Sequence, residues 1–385
     1  MLVPTVSPSD PPPEAPVPPE RLGWLALVGS LALFLLIGVP LQSLNAGAGI
    51  WFTEIFLFFG YGWALVRWSG RSPVQYLGLR WPGGWPMAFA LGIAVANYFA
   101  AVIPLQFVAQ LVAPRAWVEM FDQTQVFDRQ GLDLFLAMTG AVAAAPIGEE
   151  VIFRGLLLQG LLRRGVRMRP AIVASAAIFS LCHVNLIGLP ALFELGLVFG
   201  LLYARTRSVL PGMVAHLGSN LTATLLYVAG KGQDTGPVEL SAQVPAVLAA
   251  SVLGWVVLGA LLLGARRVPQ AWGAPQTVDA PRPRVTFSRA FAPWAAAASV
   301  TLLAWGLVNR RGLELDLADA QVRVPPPRSE EPEWVRERRT EVKTLRDDVR
   351  EGSASLESYL RARRGLAAAV ERASADGGSG DGPID

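Results

Sequence analysis

The chain has 385 residues, of which 52% are hydrophobic and 16% are charged, whereas charged residues make up about 25% of soluble globular domains. This composition excludes a fully soluble enzyme and a disordered protein, and the single cysteine excludes an internal disulfide. The net charge is +3, and the basic residues are almost all arginines in short clusters between apolar runs. That distribution is typical of membrane topology and predicts no binding to nucleic acid.

The N-terminal residues 1–22 are predicted to form a disordered, proline-rich arm, because residues 1–20 contain eight prolines and no apolar periodicity. Nine apolar runs follow from Trp24 onward. A helix needs ~20 residues to cross a ~30 Å hydrocarbon core, and the runs are close to that length or longer. The runs predict an all-α fold, a polytopic transmembrane helical bundle of about eight or nine spans. They lie near 24–44, 48–68, 85–112, 132–162, 170–186, 189–205, 208–229, 244–265 and 291–309.

The arginines predict the orientation of this bundle. Linkers after the second, fourth, sixth and eighth runs carry arginines, whereas those after the first and fifth runs carry no charge. Positively charged linkers stay on the cytoplasmic side, so nine spans predict a cytoplasmic N-terminus. Heavy use of Arg, Ala and Leu, with lysine only at Lys231 and Lys343, suggests a GC-rich bacterial genome. The predicted location is therefore the bacterial inner (plasma) membrane.

A charged, partly helical soluble tail is predicted for residues 311–385. Residues 310–385 hold 14 of the 33 basic and 16 of the 30 acidic residues. A stripe with a spacing of seven predicts a short amphipathic helix that packs on a partner, in preference to a true coiled coil. From Asp376 the Gly/Ser/Asp-rich end is predicted to be disordered. The stripe consists of Val335, Val342, Val349 and Leu356, with Leu345 and Tyr359 at the companion heptad position.

The fourth apolar run contains three charged residues, Glu149, Glu150 and Arg154. Charged groups inside a span are costly and predict a functional site. Glu150 and Arg154 are four residues apart, so they share a helix face and can pair. A structural ion pair is the alternative interpretation, but it leaves Glu149 without a local partner. Two adjacent carboxylates in a low dielectric favour a proton on one of them, which suits a general base.

The chain has only two histidines, His183 and His216, and both lie in apolar runs. His216 and Asn220 are four residues apart and share a helix face. Counted from the nearest basic linker at ~1.5 Å per residue, Glu149, His183 and Asn220 lie ~20–21 Å deep and His216 ~14 Å deep. Three helices therefore bring these groups to about the same level. Taken singly, each histidine can also be a structural hydrogen-bonding group between helices.

Together these groups suit the activation of a water molecule for attack on an amide. A carboxylate and an imidazole hold and deprotonate the water, and a second imidazole and an amide N–H stabilise the oxyanion. Cys182 is interpreted as a core residue, since neighbours on a helix point ~100° apart. A divalent metal is the competing use, because Glu149, His183 and His216 can bind Zn²⁺ with one open position, although the chain has no H-E-x-x-H motif.

At these residues the sequence resembles the CPBP family of intramembrane proteases, named for CAAX-prenyl proteases and bacteriocin-processing enzymes and also called Abi. The resemblance covers roughly residues 130–230 and includes the segment from Gly196 through Arg205 to Pro211. The family motifs EExxxR, FxxxH and HxxxN appear here in order as Glu149-Glu150-x-x-x-Arg154, Phe179-x-x-x-His183 and His216-x-x-x-Asn220.

The resemblance implies a glutamate-dependent endopeptidase that acts within the membrane on membrane-anchored proteins or peptides. It implies that Glu149 and His183 activate water, and that His216 and Asn220 form the oxyanion site. Glu150 and Arg154 would orient Glu149 or contact substrate. No cofactor is favoured, and zinc held by the first Glu and the two His is the alternative. A bacterial source makes prenylated substrates a poor expectation.

Two other functions remain open at this point. A non-catalytic membrane scaffold or immunity protein would bind a peptide or protein in the same cavity. A proton-coupled transporter would also use intramembrane Glu and His, but it lacks inverted repeats. The predicted organisation is an arm (1–22), N-terminal membrane helices (23–130), catalytic helices (131–230), C-terminal membrane helices (231–310) and the tail (311–385). The intramembrane polar residues Glu54, Asn97 and Glu194 are left outside the predicted site.

Overall fold

The computed structural model describes residues 21–121, 131–230, 240–264, 285–327 and 331–375, together with Pro18. These residues are mostly helical and include no strand, so the predicted all-α fold is confirmed. Most of the predicted N-terminal arm and the predicted disordered end from Asp376 lie outside the described residues. So do Arg266, Arg267, Arg282 and Arg284 of the last predicted cytoplasmic linker.

Nine long helices in the described residues correspond to the nine predicted apolar runs, within a few residues at each end. Five of them are α1 (Leu22–Leu44), α2 (Ala46–Trp68), α3 (Gly84–Val112), α4 (Gly131–Arg163) and α5 (Met168–Cys182). The other four are α6 (Leu189–Thr206), α7 (Leu210–Gly230), α8 (Leu240–Gly264) and α9 (Phe287–Val308).

Seven of the described helices are long and apolar enough to cross a membrane: all of these except α5 and α7. α5 has 15 residues and ends earlier than its apolar run suggests. It ends because Val184 takes a left-handed conformation with φ +48°, which a continuing helix cannot accommodate. His216 lies on α7 and His183 directly after α5, so both histidines belong to segments whose helices fall short of the criterion for a span.

The central helix of the membrane unit is α4. Every residue from Val151 to Leu158 is buried, as expected of a helix with apolar side chains on all sides. α1, α5 and α6 pack on this stretch, while α2 and α7 pack on the preceding turn, Ala145–Glu150. The helix that carries the paired glutamates is therefore enclosed by five neighbours.

Glycines let the two helices after α4 pack closely. A Cβ atom at Gly196 of α6 would lie 2.9 Å from the Cα of Ala176 on α5, and one at Gly200 would lie 2.8 Å from the side chain of Ile172. Only the absence of a side chain permits this approach. α5 and α6 consequently form a tight antiparallel pair that positions His183 beside α4.

The outer helices present apolar side chains at the surface. On α8, Val252, Leu253 and Val256 are each about two-thirds exposed, and Leu303 and Leu307 of α9 are similarly exposed. Contiguous apolar surface of this kind marks contact with lipid or protein. With seven helices of spanning length, the chain is a multi-pass integral membrane protein.

The chain divides into two compact units, 1–296 and 297–385, with the boundary inside α9. The second unit contains α10 (Arg310–Gln321), α11 (Glu333–Glu351) and α12 (Leu356–Ala375). The three valines of the predicted stripe lie on α11, which ends at Gly352 with φ +90°, a conformation that favours glycine. Leu356 and Tyr359, predicted on the same helix, lie on α12 instead. Val335, Val342 and Val349 are buried against α10 and α12. The partner of the amphipathic helix is thus the same chain.

Ion pairs complete this small core. Arg346 of α11 lies 2.7 Å from Asp316 and 3.2 Å from Asp319 of α10. The hydroxyl of Tyr359 on α12 donates to Asp319, and Arg363 lies 3.1 Å from the same carboxylate. Burial, followed by the hydrogen bond to Asp319, raises the pKa of Tyr359 to about 12.

The raised pKa of Tyr359 predicts a loss of stability in strong alkali. An unfolded tyrosine ionises near pH ~10, so between pH ~10 and about 12 the folded state holds more protons than the unfolded state. The contribution is complete below pH ~10 and is lost as the pH rises towards about 12. Unfolding of the full-length protein from pH 7 to 12 should show a steeper decline in the wild type than in Tyr359→Phe. Parallel profiles would contradict this assignment.

Candidate active site

The two adjacent glutamates of α4 face different surroundings. Side chains of consecutive helical residues point ~100° apart. Glu149 faces a cavity with 13% of its side chain exposed, whereas the side chain of Glu150 is fully buried. The pair therefore consists of one carboxylate that a ligand can reach and one that it cannot.

The buried carboxylate is paired as the i,i+4 spacing predicts. Arg154 Nη1 lies 2.7 Å from Glu150 Oε1, and neither side chain is exposed. Arg154 Nη2 donates to the backbone carbonyl of Gly196 on α6 at 3.1 Å. The guanidinium also lies over the rings of Phe179 and Phe199, at 4.6 and 5.2 Å, within the range of cation–π attraction. Arg154 thus connects α4 with α5 and α6.

His183 lies at the C-terminal cap of α5, one residue beyond the helix. Its Nδ1 is 2.8 Å from the backbone carbonyl of Phe179. A carbonyl can only accept, so Nδ1 carries the proton and Nε2 of the neutral ring is an acceptor. Nε2 lies 3.8 Å from Oε2 of Glu149. Two acceptors at this separation can share one water molecule that donates to both.

His216 of α7 lies between the two glutamates. Its Nε2 is 3.9 Å from Glu149 Oε2, and its Nδ1 is 3.4 Å from Glu150 Oε1. The ring stacks on Phe199 with centroids 4.8 Å apart. Each ring nitrogen thus faces a carboxylate oxygen, and the ring donates through whichever nitrogen carries a proton.

Two phenylalanines hold the imidazoles in place. Phe179 meets the ring of His183 edge to face at 4.7 Å, and Phe199 stacks on His216. Both phenylalanines are buried and also contact the guanidinium of Arg154. The orientation of both histidines therefore depends on one buried cation. Phe199 belongs to no motif and was not predicted from the sequence.

Asn220 lies one helical turn from His216 on α7, as predicted. Its amide donates to the backbone carbonyl of Ala141 on α4 at 2.7 Å. Ala141 lines the same cavity as Glu149. An amide nitrogen has two N–H donors, and Ala141 accepts one of them.

The cavity has a volume of about 450 Å³. Cys182, predicted as a core residue, is partly buried against the main apolar cluster and also lines this cavity. Ser30, Gln42, Glu54, Glu149 and His183 contribute polar groups. The apolar lining comes mainly from Leu27, Leu31, Phe34, Ile50, Phe58, Ile152 and Phe153.

Of the three polar residues left outside the predicted site, two pair with each other. Asn97 of α3 donates to Glu194 of α6 at 2.8 Å, which joins two helices. Glu54 of α2 lines the cavity together with Glu149. The signal that indicates it is the cost of a carboxylate inside an apolar span; only the packing of α2 on α4 shows where it lies.

The residues of the alternative zinc site do not fit the ion as they are placed. Donor atoms 2.0–2.2 Å from a tetrahedral zinc lie about 3.4 Å apart, whereas Glu149 Oε2 lies 3.8 and 3.9 Å from the two imidazole nitrogens. Among the described residues, no group of three or more His, Cys, Asp or Glu is arranged to hold a metal ion.

One family model matches the segment of the chain that contains this site. Residues 131–222 match the family model described as type II CAAX prenyl endopeptidase, Rce1-like. The predicted resemblance to the CPBP family is confirmed over this segment. The CPBP segment comprises most of α4 to α7 and contains all six predicted site residues. At family level it supports a CAAX-type intramembrane protease. No curated protein and no solved structure matches the chain.

The buried pair predicts a large loss of stability when it is broken. Arg154→Met should destabilise the protein by about 3–5 kcal/mol, because Glu150 then lies buried without its partner. Arg310→Met is the matched control, since Arg310 pairs with Glu314 at the same spacing with 78% of its side chain exposed, and exposed pairs contribute little. Thermal unfolding in detergent measures both, and equal losses would contradict the structural role of Arg154.

A glycine on α7 tests the position of Glu150 independently. A Cβ atom at Gly212 would lie 2.6 Å from Glu150 Oε2, so Gly212→Ala should push the carboxylate from Arg154 and cost about 1–3 kcal/mol. Gly230 lies on the same helix, and a Cβ atom there meets nothing within 4 Å. Gly230→Ala should leave the unfolding temperature unchanged or slightly raised. A neutral Gly212→Ala variant would show that Glu150 does not pack against this glycine.

Proposed function

We propose that the chain is an intramembrane endopeptidase that hydrolyses peptide bonds of membrane-anchored proteins or peptides. The observation that carries the proposal is the position of Glu149, whose Oε2 lies 3.8 Å from Nε2 of His183 and 3.9 Å from Nε2 of His216. Glu149 and His183 line an apolar cavity. A cavity inside a helical bundle excludes bulk water, so the nucleophile must be bound and activated there.

The attacking group in this mechanism is a water molecule shared by Glu149 and His183. It donates one hydrogen to Oε2 of the carboxylate and the other to Nε2 of the imidazole, which is an acceptor because Nδ1 donates to Phe179. Both hydrogens are then engaged, and a lone pair of the oxygen is free to attack the scissile carbonyl carbon. As the carbon–oxygen bond forms, Glu149 or His183 takes a proton from the water. The same group returns this proton to the leaving amine as the carbon–nitrogen bond breaks.

His216 and Asn220 stabilise the charge that develops on the carbonyl oxygen. Both residues lie on one face of α7, each can donate an N–H, and Nε2 of His216 lies 3.9 Å from Glu149 Oε2. Preorganised donors of this kind typically contribute 10²–10³-fold to the rate. Glu150 and Arg154 are too buried to contact substrate, so we propose that they position His216 and the two phenylalanines.

The lining of the cavity supports an apolar, membrane-anchored substrate. The family description refers to prenylated CAAX tails, and for this chain we propose the broader class of peptides that enter from the bilayer. With a cytoplasmic N-terminus in a bacterial inner membrane, the arginine-rich linkers lie on the cytoplasmic side. A scaffold or immunity protein that binds without cleavage is the competing function.

Loss of either proposed base should abolish cleavage without loss of the fold. Glu149→Gln and His183→Ala are expected to lower cleavage of a membrane substrate by roughly 10²–10⁴-fold. Both variants should still insert and unfold normally, because neither side chain is fully buried. Glu194→Gln is the matched control, since it changes an intramembrane glutamate that pairs with Asn97.

Comparative analysis of protein termini in cells that carry each variant measures cleavage and names the substrates together. Full cleavage by both Glu149→Gln and His183→Ala would overturn the proposed protease function. Rescue of a deletion phenotype by Glu149→Gln would favour the scaffold. Repeating the assay with a chelator and with added zinc tests whether cleavage requires a metal ion. Activity that depends on zinc would overturn the proposed metal-free mechanism.

A further inference from the structure

A third carboxylate, Glu54, belongs to the cavity but has no place in the proposed mechanism. It lies in a π-helical turn of α2, Thr53–Gly60, and is only 6% exposed. It lines the cavity together with Glu149 and His183. Its Oε2 is buried and has no hydrogen-bond partner among the described residues. A buried polar group without a partner costs free energy, so its retention requires a cause.

The helix of the catalytic glutamate makes room for Glu54. A Cβ atom at Gly148 would lie 2.6 Å from the backbone carbonyl of Glu54 and would also clash with its carboxylate. Only glycine fits at this position, directly before Glu149. Glu54 therefore approaches the backbone of α4 beside the proposed base.

Among the described residues, the cavity lining contains two carboxyl groups and no arginine or lysine to pair with them. The charge of Glu150 is balanced by Arg154, which does not line the cavity. The described lining residues include Glu54 and Glu149 but neither lysine nor arginine, and His183 is the one histidine among them. Because like charges in a low dielectric repel strongly, a cation is the complementary ligand.

We propose that Glu54 is a substrate-recognition residue that binds a lysine or arginine side chain of the peptide, near the bond cleaved at Glu149. The inference rests on the proposed protease function. The apolar lining suits the methylene stem of such a side chain, while its charged end reaches the carboxylate. A guanidinium also supplies the paired donors that a carboxylate accepts best. The substrate class is thus an apolar segment with one basic residue close to the scissile bond.

The test compares peptides that differ at one position. Short apolar peptides with a quenched fluorophore carry Arg, Gln or Glu at each position in turn, and the full-length protein in lipid nanodiscs cleaves them. At one position near the cleaved bond, wild type should prefer Arg over Gln by 10- to 100-fold in kcat/KM, which is typical of a hydrogen bond to a charged group. Glu54→Gln should reduce that ratio to near one.

Two further variants keep the test decisive. Glu54→Asp retains the charge on a shorter stem and should retain part of the preference for Arg over Gln. It therefore provides a second test of the proposal if Glu54→Gln does not fold. Glu194→Gln should keep the wild-type ratio. A ratio near one in the wild type, or a ratio unchanged in both Glu54 variants, would overturn the proposal. The proposal would also be overturned if the Glu54 variants had a shifted pH profile of kcat/KM but an unchanged preference for Arg over Gln. That result would assign Glu54 to sharing a proton with Glu149.

Binding separates failure of the inference from failure of the protease. Peptide affinity is measured on Glu149→Gln, which does not need to cleave. A preference of this variant for the Arg peptide, lost in the Glu54→Gln double variant, supports the subsite even when wild type cleaves nothing. Cleavage by the wild type without any preference for the Arg peptide would overturn the proposed role of Glu54. It would leave the proposed protease function unaffected.

Discussion

The buried guanidinium of Arg154 is the interaction on which the site depends. It pairs with Glu150 at 2.7 Å, donates to the carbonyl of Gly196 and lies against two phenylalanine rings. A charge in the low dielectric of a membrane protein is stable only when its partners are complete. Because those partners come from α4, α5 and α6, satisfying one cation brings three helices into register. The same two rings hold His183 and His216, so the ion pair also orients the histidines.

Helix geometry gives the two adjacent glutamates different surroundings. Consecutive residues point ~100° apart, which turns Glu150 towards Arg154 and Glu149 towards the cavity. Small residues make this division possible. Gly212 leaves space for Glu150, and Gly148 leaves space for Glu54. The backbone thus accommodates three carboxylates around one turn of α4, only one of which is neutralised by an arginine.

Much of the architecture was predictable because the bilayer imposes simple requirements. Spans must be apolar and about 20 residues long, so each predicted run corresponds to an observed helix. The early end of α5 at Cys182 was not predictable, since it depends on the left-handed backbone at Val184. The valine stripe of the tail was visible as a spacing of seven. Its partners, α10 and α12 of the same chain, became evident only from the fold.

The sequence by itself determined which residues are the candidates for the chemistry. Charged groups and histidines are so costly in apolar spans that the few present identify themselves, and their motif spacing resembles one family. Only the tertiary structure decided how those residues are arranged. Distances between helices follow from packing, which no local spacing encodes. That packing places Phe199 on His216, sends the amide of Asn220 to Ala141 and brings Glu54 into the cavity of Glu149.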